Sequence, residues 1–408
     1  MKRPITCLAI PSLVAFSVVL ATATTARAEK TEVVITIAKK TAAEVPTKPP
    51  FSGTRAAVDV AILLDTSNSM DGLINQAKSQ LWTIVEQFAK AKKNGQTPLL
   101  RVALFEYGNT RLPAAEGYIR QVVPLTDDLD KLSQSLFALS TNGGDEYCGQ
   151  VINEAITRLN WSKEPNAYKA IFIAGNEPFT QGTVDYRESC GRAIQTGIVV
   201  NTIHCGNHAS GVSGEWQQGA QLAEGEFFNI DQDRAVVHIE CPQDEMILRL
   251  NTELNKTYLW YGDQAKRESL AANQVAQDTN AELVGEGVAV GRAVVKSGKM
   301  YGNYARCLVD TFLENEAILD EVKEEDLPEV LRVLTPEKRK EYVQQQSAKR
   351  GEVQNKIAKL AAEREAYLTQ ERKRLANETG QATLGDAVVA TIAKQLAKSG
   401  FETTATSK

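Results

Sequence analysis

Six short apolar runs recur between residues 57 and 262, and amphipathic stretches separate them. The runs at 58–64, 99–106, 118–123, 168–174, 198–204 and 226–230 have the length of strands. The stretches at 72–92, 127–139, 149–160, 184–196, 214–224 and 243–259 have helical spacing. In the first of them Ile74, Ala77, Leu81, Ile84 and Phe88 fall three and four residues apart. Val58-Asp59-Val60-Ala61-Ile62-Leu63-Leu64 is apolar at nearly every position rather than at alternate ones, as in a strand covered by helices on both faces. Strand and helix in alternation predict an α/β fold with a doubly wound, mostly parallel sheet.

The strand pattern fades after Gly262. Residues 263–282 are polar with helical spacing, Gly285, Gly287 and Gly291 interrupt them, and Tyr301-Gly302-Asn303-Tyr304 forms a break. Those glycines lack the Gly-Lys-Ser/Thr ending of a phosphate loop and match no dinucleotide fingerprint. A long helix is expected from Thr335, which can cap it, with Pro336 in its first turn. Val353, Ile357, Leu360 and Tyr367 make a heptad-like stripe, with Arg364 at the position that would complete it. That stripe suits a coiled-coil arm or a helical hairpin. A last helix over 384–397 places Val388, Ile392 and Leu396 on one face, and Gly400 ends it.

The start of the chain reads differently. Lys2 and Arg3, an apolar run near residues 13–20 and Ala26-Arg27-Ala28 have the form of a secretory signal peptide over residues 1–28, cleaved near Ala28. Cleavage removes Lys2, Arg3 and Arg27 and no acid, taking the formal charge from −5 to −8. An acidic chain of this kind offers no broad basic face to nucleic acid. No later stretch is apolar enough to span a bilayer. The expected product is an exported protein, periplasmic or secreted. Residues 29–56 are a Lys-, Thr-, Ala- and Pro-containing linker, 57–262 the α/β domain and 263–408 a helical region. Export permits disulfides, but the five cysteines of the mature chain (Cys148, Cys190, Cys205, Cys241 and Cys307) leave at least one unpaired within the chain.

The stretch with the most chemistry is Asp65-Thr66-Ser67-Asn68-Ser69, between the first strand and the first helix. Open α/β sheets place their ligands at such turns. One carboxylate and two hydroxyls on alternate residues are oxygen ligands for a hard divalent cation. Two other loops should reach the same edge: Ser140-Thr141-Asn142-Gly143-Gly144-Asp145-Glu146-Tyr147-Cys148-Gly149 and Ala174-Gly175-Asn176-Glu177-Pro178.

The Asp-x-Ser-x-Ser loop and the order of elements over residues 57–262 resemble the von Willebrand factor type A family and its metal-ion-dependent adhesion site. The resemblance implies that Ser67 and Ser69 coordinate a cation and that Asp65 reaches it directly or through water. Mg²⁺ is expected, or Mn²⁺ or Ca²⁺. In the second loop the family places a threonine, or in some branches an acid after Gly-Gly. This chain offers Asp145, with Glu146 as the alternative, and Gly-Gly-Asp is also ordinary turn chemistry. In the third loop the family's Thr-Asp-Gly is missing. Gly175 stands at the aspartate position, with Asn176 and Glu177 next to it. The Gly-Gly-Asp-Glu-Tyr-Cys-Gly, Ala-Gly-Asn-Glu-Pro and His-Cys-Gly stretches are similar to an exported bacterial branch of the family.

Competing chemistry is weaker. His204, Cys205 and His208 are transition-metal donors, but adjacent strand residues point to opposite faces. Ser67 lacks a nucleophile elbow, and with three histidines in the chain no acid partner for a base is identifiable. Trp82, Trp161, Trp216 and Trp260 need no role beyond packing. The expectation is a non-enzymatic binding module whose cation captures a carboxylate of a protein or cell-surface partner, because neutral serine ligands leave the cation much of its charge. The alternative is an envelope scaffold assembled through its helical region, with a degenerate metal site.

Overall fold

A computed structural model describes residues 55–71, 74–230, 239–304, 306–379 and 384–402. The signal-peptide and linker expectations fall on residues outside these. Six strands form one sheet: β1 (Ala57–Asp65), β2 (Leu99–Tyr107), β3 (Ile119–Thr126), β4 (Tyr168–Gly175), β5 (Val199–Cys205) and β6 (Phe227–Ile230). Their order is β3-β2-β1-β4-β5-β6. Every pairing is parallel except that of β2 with the edge strand β3. Each apolar run of the sequence is thus a strand, and the reversal of order between β2 and β4 puts the carboxyl end of β1 at the topological switch point.

Helices α1 (Ile74–Ala89), α2 (Leu129–Ala138), α3 (Cys148–Arg158), α4 (Tyr186–Gln195), α5 (His208–Ser213), α6 (Trp216–Leu222) and α7 (Asp244–Asn255) connect and flank the strands. The period-two alternation of β1 sorts them into two layers. Val58, Val60, Ile62 and Leu64 face a core that contains Phe88 of α1, Leu132 of α2 and Ile247 of α7. Ala61 and Leu63 face the other core, with Val151 of α3, Cys190 of α4 and Trp216 of α6. Asp59 is a buried carboxylate within β1, and Arg101 holds both of its oxygens at 2.8 and 2.7 Å.

The rest of the described chain is helical: α8 (Gln264–Val284), α9 (Glu286–Ser297), α10 (Leu308–Glu314), α11 (Ile318–Glu321), α12 (Glu329–Arg332), α13 (Pro336–Thr379) and α14 (Leu384–Lys398). Helix α9 runs through Gly287 and Gly291, where the sequence suggested a break. Its buried Val290, Ala293 and Val295 hold it against the first core, so packing overrides the poor helix propensity of glycine. The same core takes in Val353 and Ile357 of α13 and Val388, Ile392 and Leu396 of α14. The heptad-like stripe therefore packs within its own chain, where α13 lies on α7, α9 and α10. At Arg364, where the stripe turns charged, the guanidinium meets Asp244 at the start of α7 at 2.7 Å.

A buried ionic seam joins α8 and α9 to the sheet layer. Arg292 binds Asp130 of α2 and Asp278 of α8, each at 2.7 Å, and Lys296 binds Asp278 at 2.6 Å. A second anchor is Arg350 of α13. It donates to the Thr257 carbonyl at 2.7 Å and to Asp310 at 2.6 Å, and its guanidinium lies 4.1 Å from the Tyr258 ring centre.

Candidate metal centre

Asp65 ends β1 and is fully buried. Its Oδ1 accepts from the Ser67 backbone N–H at 2.7 Å, a tight turn that carries the chain off the strand and aims both serines at the edge. Ser67 Oγ and Ser69 Oγ are 2.7 Å apart, and Ser69 donates to Asn176 Oδ1 at 3.0 Å. The loop from β1 is stitched to the second loop by Asn142 N–H on the Thr66 carbonyl at 2.9 Å. Asn109 adds to this by bridging Thr66 and Ser140. Asp65, Ser67, Ser69 and Asn176, from loops more than a hundred residues apart, thus form one oxygen cluster.

The second loop contributes Glu146. Its side chain is only 3% exposed, whereas Asp145 lies on the surface and accepts from Tyr147 at 3.3 Å. The fold places Glu146, rather than Asp145, against Asp65 and Ser67. Gly108, at φ +78°, makes room for it: a Cβ there would stand 2.7 Å from Asp65 Oδ1 and 2.8 Å from Glu146 Cγ. Gln181 fixes the loop from outside by accepting from the Glu146 N–H at 2.6 Å.

Gly175 is explained by its neighbours. A Cβ at this position would lie 3.2 Å from the Asp65 Cβ and 3.1 Å from the Trp216 ring, and it would collide with the Tyr107 hydroxyl. Tyr107 is fully buried and donates to the Ala174 carbonyl at 3.0 Å. The tyrosine hydroxyl therefore fills the space into which a side chain at 175 would project. The second buried acid of the cluster comes from the second loop instead.

Acceptors outnumber donors in this cluster. Ser67 and Ser69 carry one hydroxyl proton each, shared among the two carboxylates, Asn176 Oδ1 and one another. Asp65 Oδ2 is buried with no hydrogen-bond partner among the described residues. Burial pushes the Asp65 carboxyl up to about 7, despite the Ser67 hydrogen bonds that favour its charge. Burial and the adjacent Asp65 push Glu146 up to about 8. Two acids that share a donor-poor pocket ionise with difficulty unless a positive charge enters. A hard divalent cation supplies that charge, and carboxylate, hydroxyl and amide oxygens suit it. Among the described residues no group of three or more His, Cys, Asp and Glu is arranged around a metal-sized space. The donor set is instead two acids plus neutral oxygens.

The other sequence candidates separate. His204 and Cys205 fall on opposite faces of the sheet. His204 meets Trp216 and Asn229, while Cys205 lies in the first core, on the opposite face. His208 packs on Phe227 instead. All five described cysteines are buried and free. Two supports escaped the sequence reading. Tyr107 lies one residue beyond the apolar run that marked β2. Trp216 donates from Nε1 to the Glu177 carbonyl at 2.7 Å and so holds the third loop, a use of an aromatic residue that no local pattern announces.

Residues 59–235 match the family model of the von Willebrand factor type A domain. No curated protein matches the chain. Solved structures with a similar fold include the conserved hypothetical protein BatB from Bacteroides thetaiotaomicron, at 19% identity over 43% of this chain and 91% of that one, with a TM-score of 0.33. A von Willebrand factor type A structure from Catenulispora acidiphila shares 19% identity over 44% of this chain and 40% of that one, at a TM-score of 0.31. Proximal thread matrix protein 1 from the mussel byssus, with a zinc-occupied MIDAS motif, shares 14% identity over 44% and 43%, at a TM-score of 0.33.

Proposed function

We propose that the von Willebrand factor type A domain of this chain, matched over residues 59–235, is a cation-dependent binding module of an exported protein. The observation that carries this reading is the buried, partnerless Oδ2 of Asp65, set beside Glu146 and two serine hydroxyls. Asp65, Ser67, Ser69 and Glu146 would hold Mg²⁺, or Mn²⁺ or Ca²⁺, with Asn176 orienting Ser69. When bound, the cation supplies an electrophilic point at the sheet edge, and the partner completes its coordination with a carboxylate oxygen. Ser69 is exposed, so that point faces solvent. The partner is a protein or cell-surface component, and the module has no catalytic role.

Residues 57–262 form the binding domain in this reading, and 263–408 brace it. Export rests on the signal-like residues 1–28, and no helix among the described residues is long and apolar enough to cross a membrane. The test is capture of a partner from an envelope extract by the purified mature protein, with and without EDTA. Capture should be lost with EDTA and in Asp65→Ala. Capture that survives both would instead favour the helical region as the binding surface.

A further inference from the structure

Glu146 and Asn176 reach the cluster from two different loops, and one buried hydroxyl lies behind both. Tyr107, the last residue of β2, is fully buried. Its hydroxyl donates to the Ala174 carbonyl at 3.0 Å, two residues before Asn176. With that proton committed, the oxygen is left to accept from the thiol of Cys148, 3.8 Å away and two residues after Glu146. Cys148 is also fully buried and is the first residue of α3. A thiol is a weak donor, so the bond to Ala174 is the stronger of the two.

The same hydroxyl decides what position 175 can hold. Gly175 ends β4 and its φ is not positive, so its backbone conformation admits an L side chain. Space does not. A Cβ at 175 would collide with the Tyr107 hydroxyl oxygen, whereas the next nearest atoms are the tip of the Trp216 ring at 3.1 Å and Asp65 Cβ at 3.2 Å. Those two need to give by only a few tenths of an ångström, and no ring carbon of Tyr107 comes nearer than they do. The obstacle is the hydroxyl and not the aromatic ring. Because position 175 lies against Asp65, an acid there would add a third carboxylate to the cluster.

We infer that Tyr107 is a specificity-determining residue of the cation site: its hydroxyl takes the place of a third-loop carboxylate and holds the buried acids of the site at two. The inference rests on the cation reading proposed above. Asp65 and Glu146, both ionised, balance the charge of one divalent ion, so the loaded site is neutral. A third carboxylate would leave it negative and would repel the carboxylate that a partner brings. The phenol fills that space and ties the third loop at Ala174 without adding charge.

The steric half of the inference is tested by a double-mutant cycle in urea unfolding of the metal-free full mature chain. Gly175→Ala should lower the urea midpoint sharply with Tyr107 in place, and most of that loss should disappear in a Tyr107→Phe background. The electrostatic half compares Tyr107→Phe/Gly175→Asp with Tyr107→Phe/Gly175→Asn, which has the same shape and no charge. Coulomb attraction scales with the charge of the ion, so Tb³⁺ should bind the Asp variant roughly tenfold or more tighter than the Asn variant, with a smaller gain for Mn²⁺. A wild-type midpoint for Gly175→Ala, or the same loss in both backgrounds, would overturn the inference. So would equal Tb³⁺ affinity in the Asp and Asn variants. If the Asp variant does not fold, the alanine cycle still decides whether the hydroxyl is what excludes a side chain at 175. If wild type itself binds no Mn²⁺, the cation reading fails, and the alanine cycle reports on Tyr107 separately.

Discussion

Asp130 and Asp278 are buried where the helical region meets the sheet, and each of their four oxygens accepts from a cation or a donor. Arg292 and Tyr301 satisfy Asp130, while Arg292, Lys296, Asn251 and Asn255 satisfy Asp278. Asp65 and Glu146 are buried at the carboxyl edge of the same sheet, and Asp65 Oδ2 accepts from nothing. Burial alone would raise the Asp278 carboxyl, but Lys296 and Arg292 bring it below the ordinary carboxylate range. Among the described residues no such charge stands beside Asp65 and Glu146, and both stay high. The chain thus carries the cations of the seam in its own sequence, whereas under the proposed function the edge takes one from solution. A buried carboxylate with its partner built in is structural, and one without a partner marks a site.

The largest expected effect comes from breaking the seam. Arg292→Ala leaves Asp130 and part of Asp278 without their buried partner and should cost about 3–5 kcal/mol in urea unfolding. Asp65→Asn, by contrast, removes a strained charge and should leave the metal-free protein as stable as wild type or more so. If the two substitutions cost the same, the contrast between seam and edge collapses.

Next in size is the response to a cation. At pH 8 and a free Mg²⁺ concentration about a hundredfold above its dissociation constant, wild type should gain about 2.7 kcal/mol of stability. Asp65→Asn should gain nothing, and calorimetric unfolding scans read both.

The pH dependence sharpens the same point. Both edge acids have folded pKa values raised above the ordinary carboxylate range, to about 7 and about 8. Their contribution is therefore fully present below pH 4 and lost as pH rises through those values. Metal-free wild type should lose stability relative to Glu146→Gln between about pH 5 and 8, because the amide never ionises. Saturating Mg²⁺ should remove or reverse that difference. An identical pH profile for the two metal-free proteins would mean that Glu146 titrates normally and is not confined beside Asp65.

The smallest effect separates neighbours. Asp145→Asn should change stability by less than about 0.5 kcal/mol and leave Mg²⁺ affinity intact, while Glu146→Gln weakens it. Equal loss in both would return Asp145 to the site.

Much of the α/β architecture is legible in the chain because burial on both faces makes strands into unbroken apolar runs. The run at 168–174 and the strand Tyr168–Gly175 differ by a single residue. Asp65, Ser67 and Ser69 are legible because one turn carries all three. The choice between Asp145 and Glu146 is not, since it depends on a cradle formed by Gly108, thirty-eight residues away. Nor does the third loop explain its own glycine: Tyr107, from another strand, occupies the space. The seam escapes sequence pattern for the same reason. Asp130, Asp278, Arg292 and Lys296 read as ordinary solvated helix charges until the helices pack.

The central claim is that the edge awaits a cation. Titration calorimetry of the metal-free mature protein with Mn²⁺ at pH 7.5, beside Asp65→Ala, tests it directly. The account predicts one saturable binding event in wild type that is absent from the variant. No binding in wild type, or the same binding in both proteins, would contradict it.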